Sequence, residues 1–142
     1  ESAFLNSKID IRAHLQGRHN ILFDFYRTLI DFRRRTPALR NLLKENMDVR
    51  RLGEKGLFVR RWFGKEDVFS VYNFDKSPRE MVLNIPSGRW TKELDSSSEE
   101  WGGEGEAAPK LIESSGSEIV VCLNLCGFAL YRMVVCPDCT DA

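Results

Sequence analysis

Absent from this sequence is any excess of one charge: 21 Lys and Arg stand against 21 Asp and Glu, a formal net charge of zero. Nucleic-acid-binding domains usually carry a basic surplus, so that class of partner is not expected. Absent too is any apolar run near the ~20 residues that span a bilayer, so no membrane segment is expected. Histidine is scarce: His14 and His19 are the only two, and both sit in a polar segment. No Ser/His/Asp or Cys/His set can be assembled around them. The opening "ESAFLNSKID" has no initiator methionine, basic n-region or apolar h-region, so we expect a piece of a longer protein. Internal repeats and low-complexity tracts are missing. The glycine-rich "GGEG" is not followed by Lys-Ser/Thr, which argues against a phosphate loop.

What is present is an ordinary globular composition, 42% hydrophobic and 30% charged over 142 residues, enough for a core of its own. Four cysteines, Cys122, Cys126, Cys136 and Cys139, lie in the last third. Their spacing suits a thiolate zinc site. However, the first pair falls near the turn of an expected hairpin and the second follows its far end. At ~3.3 Å per residue the pairs stand on the order of 25 Å apart. Unpaired thiols are therefore expected, with no metal and no cofactor, and a reducing cytoplasm is favoured.

Residues 21–40, "ILFDFYRTLIDFRRRTPALR", predict one amphipathic helix. Asn20 is a candidate cap, and Thr36 before Pro37 fixes the end. At ~100° per residue, Ile21, Leu22, Phe23, Phe25, Tyr26, Leu29, Ile30 and Phe32 fill an arc of roughly 200°. A helix facing one core needs about half of that. This helix is expected to be covered from two sides. Arg33, Arg34 and Arg35 suit the carbonyl end of the helix dipole. A phosphate or RNA patch is the sharper reading of these arginines, and the neutral net charge counts against it.

From residue 47 the pattern changes to short β-prone runs parted by turn residues, the signature of an antiparallel sandwich or barrel. The expected strands are 47–52, 57–63, 67–74, 79–85, 89–94, 118–123 and 128–135. "VFSVYNF" is apolar on both alternating faces and belongs in the middle of a sheet. "EIVVCLNL" with "GFALYRMV" reads as a closing hairpin. Residues 95–110, "DSSSEEWGGEGEAAPK", form a long loop of the kind that often carries function.

"FYRTLIDFRRRTPALR" resembles the last helix of the catalytic barrel in the α-amylase superfamily, glycoside hydrolase family 13. The matching positions are Tyr26, Arg27, Leu29, Ile30, Arg33, Arg34, Pro37, Ala38 and Leu39. "GLFVRRW", "VFSVYNFDKSP", "GRWTKELDSSSEEWGGEG" and "GFALYRM" follow in the order of that family's C-terminal β-sandwich. "LDSSSEEWGGEG" is most similar to the malto-oligosyltrehalose trehalohydrolase and glucan-branching group. The resemblance implies a mainly β fold, an antiparallel β-sandwich preceded by one amphipathic α-helix. It implies a division into residues 1–46, an extension plus the last helix of a missing (β/α)₈ barrel; residues 47–135, the sandwich; and a tail, 136–142. The partner of helix 20–35 would be the parent enzyme's own catalytic barrel.

Glycoside hydrolysis needs two carboxyl groups flanking the scissile bond, and a barrel to hold them takes ~250 residues. The family's catalytic carboxylates have no counterpart in this chain. Glu99, Glu100, Glu104 and Glu106 read as a solvated loop. No catalytic residue is therefore expected, and the chain is read as a non-catalytic part of a glycosidase acting on α-glucans. The alternatives are an autonomous carbohydrate-binding module and a protein-interaction or oligomerisation domain. For contact with an α-glucan oligosaccharide the candidates are Trp101, Gly102 and Gly103: an aromatic platform beside two residues that admit close backbone approach. Trp62 and Trp90 are expected in the core.

Overall fold

The computed structural model of the chain describes residues 17–134. Helix α1 runs Arg18–Arg35 and a single turn, α2, runs Pro37–Arg40. Contrary to expectation, Asn20 does not cap α1. Gly17, at φ 63°, takes that position with no side-chain bond, and Asn20 already donates its amide to the Gly17 carbonyl at 3.1 Å. Glycine's freedom at positive φ lets the chain turn into the helix earlier than the capping signal suggests. At the other end Thr36 is extended, at φ −103° and ψ 104°, and Pro37 opens α2. The proline excludes helical geometry from the residue before it.

Eight strands follow among the described residues: β1 Met47–Leu52, β2 Gly56–Phe63, β3 Glu66–Asn73, β4 Arg79–Asn84, β5 Gly88–Asp95, β6 Leu111–Ser114, β7 Glu118–Leu123 and β8 Phe128–Met133. Six form an antiparallel sheet in the order β1-β2-β3-β8-β5-β6, and β4 pairs with β7 in a second sheet. The core lies between the sheets, around Phe58, Phe69, Trp90, Val121, Leu123 and Tyr131. Phe69 stacks on Tyr131 at 4.8 Å and meets Trp90 edge to face at 4.9 Å, geometries aromatic rings prefer. A smaller cluster on the outer face of the six-stranded sheet joins Val68, Leu94, Leu130 and Ala38 to Phe25, Leu29 and Phe32 of α1. The molecule is thus a β-sandwich with α1 laid on one outer face.

This layering accounts for "VFSVYNF". Phe69 and Val71 point into the sandwich, whereas Val68 points at α1, so β3 is apolar on both sides. Two expectations need correction. β7 and β8 are not a hairpin: Val121 pairs with Met81 of β4, while β8 lies between β3 and β5. The short link crosses between sheets, through Cys126 at φ 47°. Asn73, 1% exposed, ties this corner by donating to the Asn124 and Ser77 carbonyls at 2.9 and 2.8 Å. A four-residue link suits a sheet-to-sheet corner as well as a hairpin, and burial of both faces of β8 decides between them. The second correction is β6, which was not anticipated: four residues starting beyond Pro109, whose Ile112 and Ser114 nevertheless face inward.

Candidate functional site

The loop between β5 and β6 returns to α1, and a groove lies between them. Its first part closes on itself. Asp95 accepts the Ser97 amide at 2.9 Å, and the Gly105 amide donates to the Ser97 carbonyl at 3.0 Å. A 3₁₀ turn, Glu99–Trp101, ends at Gly102 in the left-handed region, φ 78°. A side chain on Gly103 would place its Cβ 2.2 Å from the Ser97 oxygen. Both glycines are therefore required by the loop's own path.

This turn lifts Trp101 against α1, where it meets Phe25 edge to face, ring centroids 5.2 Å apart. On one side of the indole is a groove of about 420 Å³ lined by Arg18, Ile21, Leu22, Phe25, Ser96 and Gly102. On the other is a polar hollow of about 350 Å³ reaching Lys92, Glu100, Glu106 and Lys110.

Beneath the loop sits an ionic group that the sequence reading did not find. Lys92 bonds Asp95 at 3.0 Å, Glu106 at 2.9 Å and the Ala108 carbonyl at 2.5 Å. The Lys92 and Asp95 side chains are only 4% and 3% exposed. The Lys92 hydrogen bond, ahead of its charge and that of Lys110, holds the Glu106 carboxyl below its ordinary range against the opposing effect of burial. Glu106 is thus an exposed loop acid, as expected, with a tether to Lys92 that the expectation did not include. Close by, the Tyr131 hydroxyl donates to the Pro109 carbonyl at 2.8 Å. Burial, then the Asp95 and Glu106 charges, raises its pKa.

The other candidates disperse. Trp90 is wholly buried, as expected. Trp62 is only half-buried, with the Arg60 guanidinium 4.8 Å over its ring, which corrects its placement in the core. Arg60 pairs with Asp67 at 2.5 Å. Cys122 and Cys126 are free thiols, and Cys136 and Cys139 lie outside the described residues, as does His14. Among the described residues, no helix is long and apolar enough to cross a membrane, and no His, Cys, Asp or Glu group could hold a metal ion.

Helix α1 has two unlike sides. Phe25, Leu29 and Phe32 are packed on the sandwich. Leu22, Phe23, Tyr26 and Ile30 are 53%, 50%, 57% and 55% exposed. Arg132 anchors the C-terminal end: it donates to the Thr36 hydroxyl at 2.8 Å and lies 5.0 Å over the Phe32 ring.

No family model matches this sequence, and no curated protein sequence does. The fold does match solved structures. The alpha-amylase from H. orenii is similar with a TM-score of 0.56 at 22% identity, over 80% of this chain and 20% of that one. The trehalulose synthase MutB from Pseudomonas mesoacidophila MX-45 is similar with a TM-score of 0.52 at 21% identity, over 79% of this chain and 18% of that one. The chain spans about a fifth of the length of these structures. What it shares with these α-amylase-family enzymes is the fold of that portion.

Proposed function

We propose that this chain is the C-terminal portion of a larger α-amylase-superfamily glycoside hydrolase or transferase, comprising its last barrel helix and its β-sandwich. Its own task is structural: it shields the flank of the catalytic barrel and holds α1 in place. The paired carboxylates that cleave or transfer α-glucosidic bonds belong to the barrel. The loop sequence "LDSSSEEWGGEG" supports assignment to the trehalohydrolase and glucan-branching group.

The observation that carries this reading is the outward side of α1, where four large apolar side chains are each at least half exposed. An apolar patch of this kind marks a contact surface, and covering each such side chain contributes about 1 kcal/mol. The fold likeness to about a fifth of each enzyme's chain supports the same reading.

The test is the coding sequence upstream of Glu1. A run of alternating strands and helices with two carboxylates at strand ends is the expected finding; an unrelated upstream domain would overturn the proposal. As a second reading, the groove between Trp101 and α1 takes an α-glucan oligosaccharide, the Trp101 ring stacking on a sugar face. Calorimetry with maltodextrin, on the chain and on Trp101→Ala, tests it. No heat at millimolar sugar would dispose of it.

A further inference from the structure

β1 and β2 carry the six-stranded sheet out to one side of α1. Register sets Met47 beside Arg61, Val49 beside Val59 and Arg51 beside Leu57, so these side chains share the sheet face on which α1 lies. The Pro37–Arg40 turn packs on β2 and β3 at one end of that face, and beyond it Met47 and Val49 are 38% and 51% exposed. Where it meets α1 it dips into a groove of about 340 Å³, floored by Val59, Val68 and Leu130 and walled by Leu29 and Phe32.

The rim of this groove has one sign of charge. Arg33 and Arg61 line it, together with the hydroxyl-bearing Ser70 and Tyr72, and among the described residues no carboxylate does. Arg61 donates one guanidinium N–H to the Asn41 carbonyl, while its water-inaccessible Nε has no partner. Among the described residues, Arg33, Arg51 and Arg61 enter no ion pair. Glu66, which lies nearby at the start of β3, is directed at the Ala38 amide.

We infer that this trough docks an amphipathic helix with an acidic flank. Its apolar stripe lies on Val49 and Val59, and a line of Asp or Glu along its edge takes charge-assisted hydrogen bonds from Arg33, Arg51 and Arg61. The width is right: β1 and β2 extend two strand spacings, about 10 Å, beyond β3, the diameter of a helix lying alongside α1. A second copy of this chain fits poorly. Its one long described helix, α1, carries five arginines against two aspartates, basic surface meeting basic rim. As to the source of the helix, the inference rests on the reading above, since a (β/α)₈ barrel is ringed by helices.

The experiment is an NMR titration of the ¹⁵N-labelled chain with two synthetic amphipathic helical peptides. They share one apolar stripe, flanked by Glu in one and by Lys in the other. The Glu-flanked peptide shifts the amides of Val49, Val59 and Ser70 and the Arg61 Nε–H signal. The Lys-flanked peptide binds about tenfold more weakly. In the variant Arg33→Glu with Arg61→Glu that preference inverts, while unchanged Trp90 and Val121 signals show the core intact. No shifts at these residues, or equal binding of the two peptides, overturns the docking site, as does sedimentation showing the trough closed by a second copy. Charge-selective binding with no barrel encoded upstream sinks the proposed function and leaves the docking site standing. A barrel upstream with binding indifferent to charge does the reverse.

Discussion

Phe25 and Trp101 touch edge to face at a centroid distance of 5.2 Å and an angle of 64°, joining the middle of α1 to the tip of the β5–β6 loop. Trp101 is half-buried, and an aromatic pair of this geometry adds about 1 kcal/mol beyond its buried area. Trp101→Ala should therefore cost about 2 kcal/mol in urea unfolding. It should also speed amide exchange at Gly102 and Gly103 more than at any core strand. Trp101→Phe, which keeps a ring against Phe25, should recover about half of the loss. If exchange in the loop is unaffected, the tryptophan does not anchor it.

The Lys92 group should make stability depend on acid. Glu106 is held below its ordinary 4.5, so its contribution is whole above pH 4.5 and is lost as the pH falls through the lower folded value. Chemical-denaturant midpoints from pH 6 to pH 3 should fall across that window, and Glu106→Gln should flatten the fall. Lys92→Met should be harsher, by about 3–5 kcal/mol, because it leaves the Asp95 carboxylate buried without its cation. A flat profile in the parent chain would refute the tether.

Much of the sandwich was legible because burial writes a period into the sequence. The apolar alternation in "VFSVYNF" marks a strand with a layer on each side, and β3 has them. The wide arc of α1 marks more apolar surface than one sheet face takes up, and among the described residues Phe23, Tyr26 and Ile30 stay at least half exposed. Pairing was less legible. Nothing local distinguishes a link that closes a hairpin from one that crosses between sheets, so the sequence between β7 and β8 does not reveal the crossing. The ionic group under the loop was hidden for a sharper reason. Lys92 and Asp95, three apart, should face opposite sides of a strand. A register shift between Lys92 and Leu94 sets them opposite Tyr131 and Ala129, both residues of the inner core. A bulge changes the parity of a strand without any mark in its composition.

Tyr131 should report on alkaline unfolding. Burial and the neighbouring carboxylates raise its pKa above the ordinary 10. The stability this contributes is complete below pH 10 and is lost as the pH climbs toward the folded value. The phenolate absorbance due to Tyr131, taken as the difference from Tyr131→Phe, should appear only with loss of the folded signal. That variant removes the donor to the Pro109 carbonyl and should cost about 1 kcal/mol near neutral pH. Phenolate formation in the native state at pH 10 would contradict the burial argument.

The outward side of α1 gives the sharpest separation between what this chain needs for itself and what it offers to something else. Phe23, Tyr26 and Ile30 are each at least half exposed and line a shallow surface with Arg27, Asp31 and Arg34. Replacing exposed side chains moves stability little, so Phe23→Lys, Tyr26→Glu and Ile30→Lys should each stay within about 0.5 kcal/mol in the 142-residue chain. Solubility should improve as apolar surface is removed. Joined to the barrel proposed above, the same substitutions should cost about 1–3 kcal/mol apiece, because each would place a charge in a contact that reading makes apolar. Paired thermal melts of the short and extended chains measure both effects. Equal losses in the two would mean that this face of α1 serves the sandwich alone, and no loss in either would mean that it serves nothing.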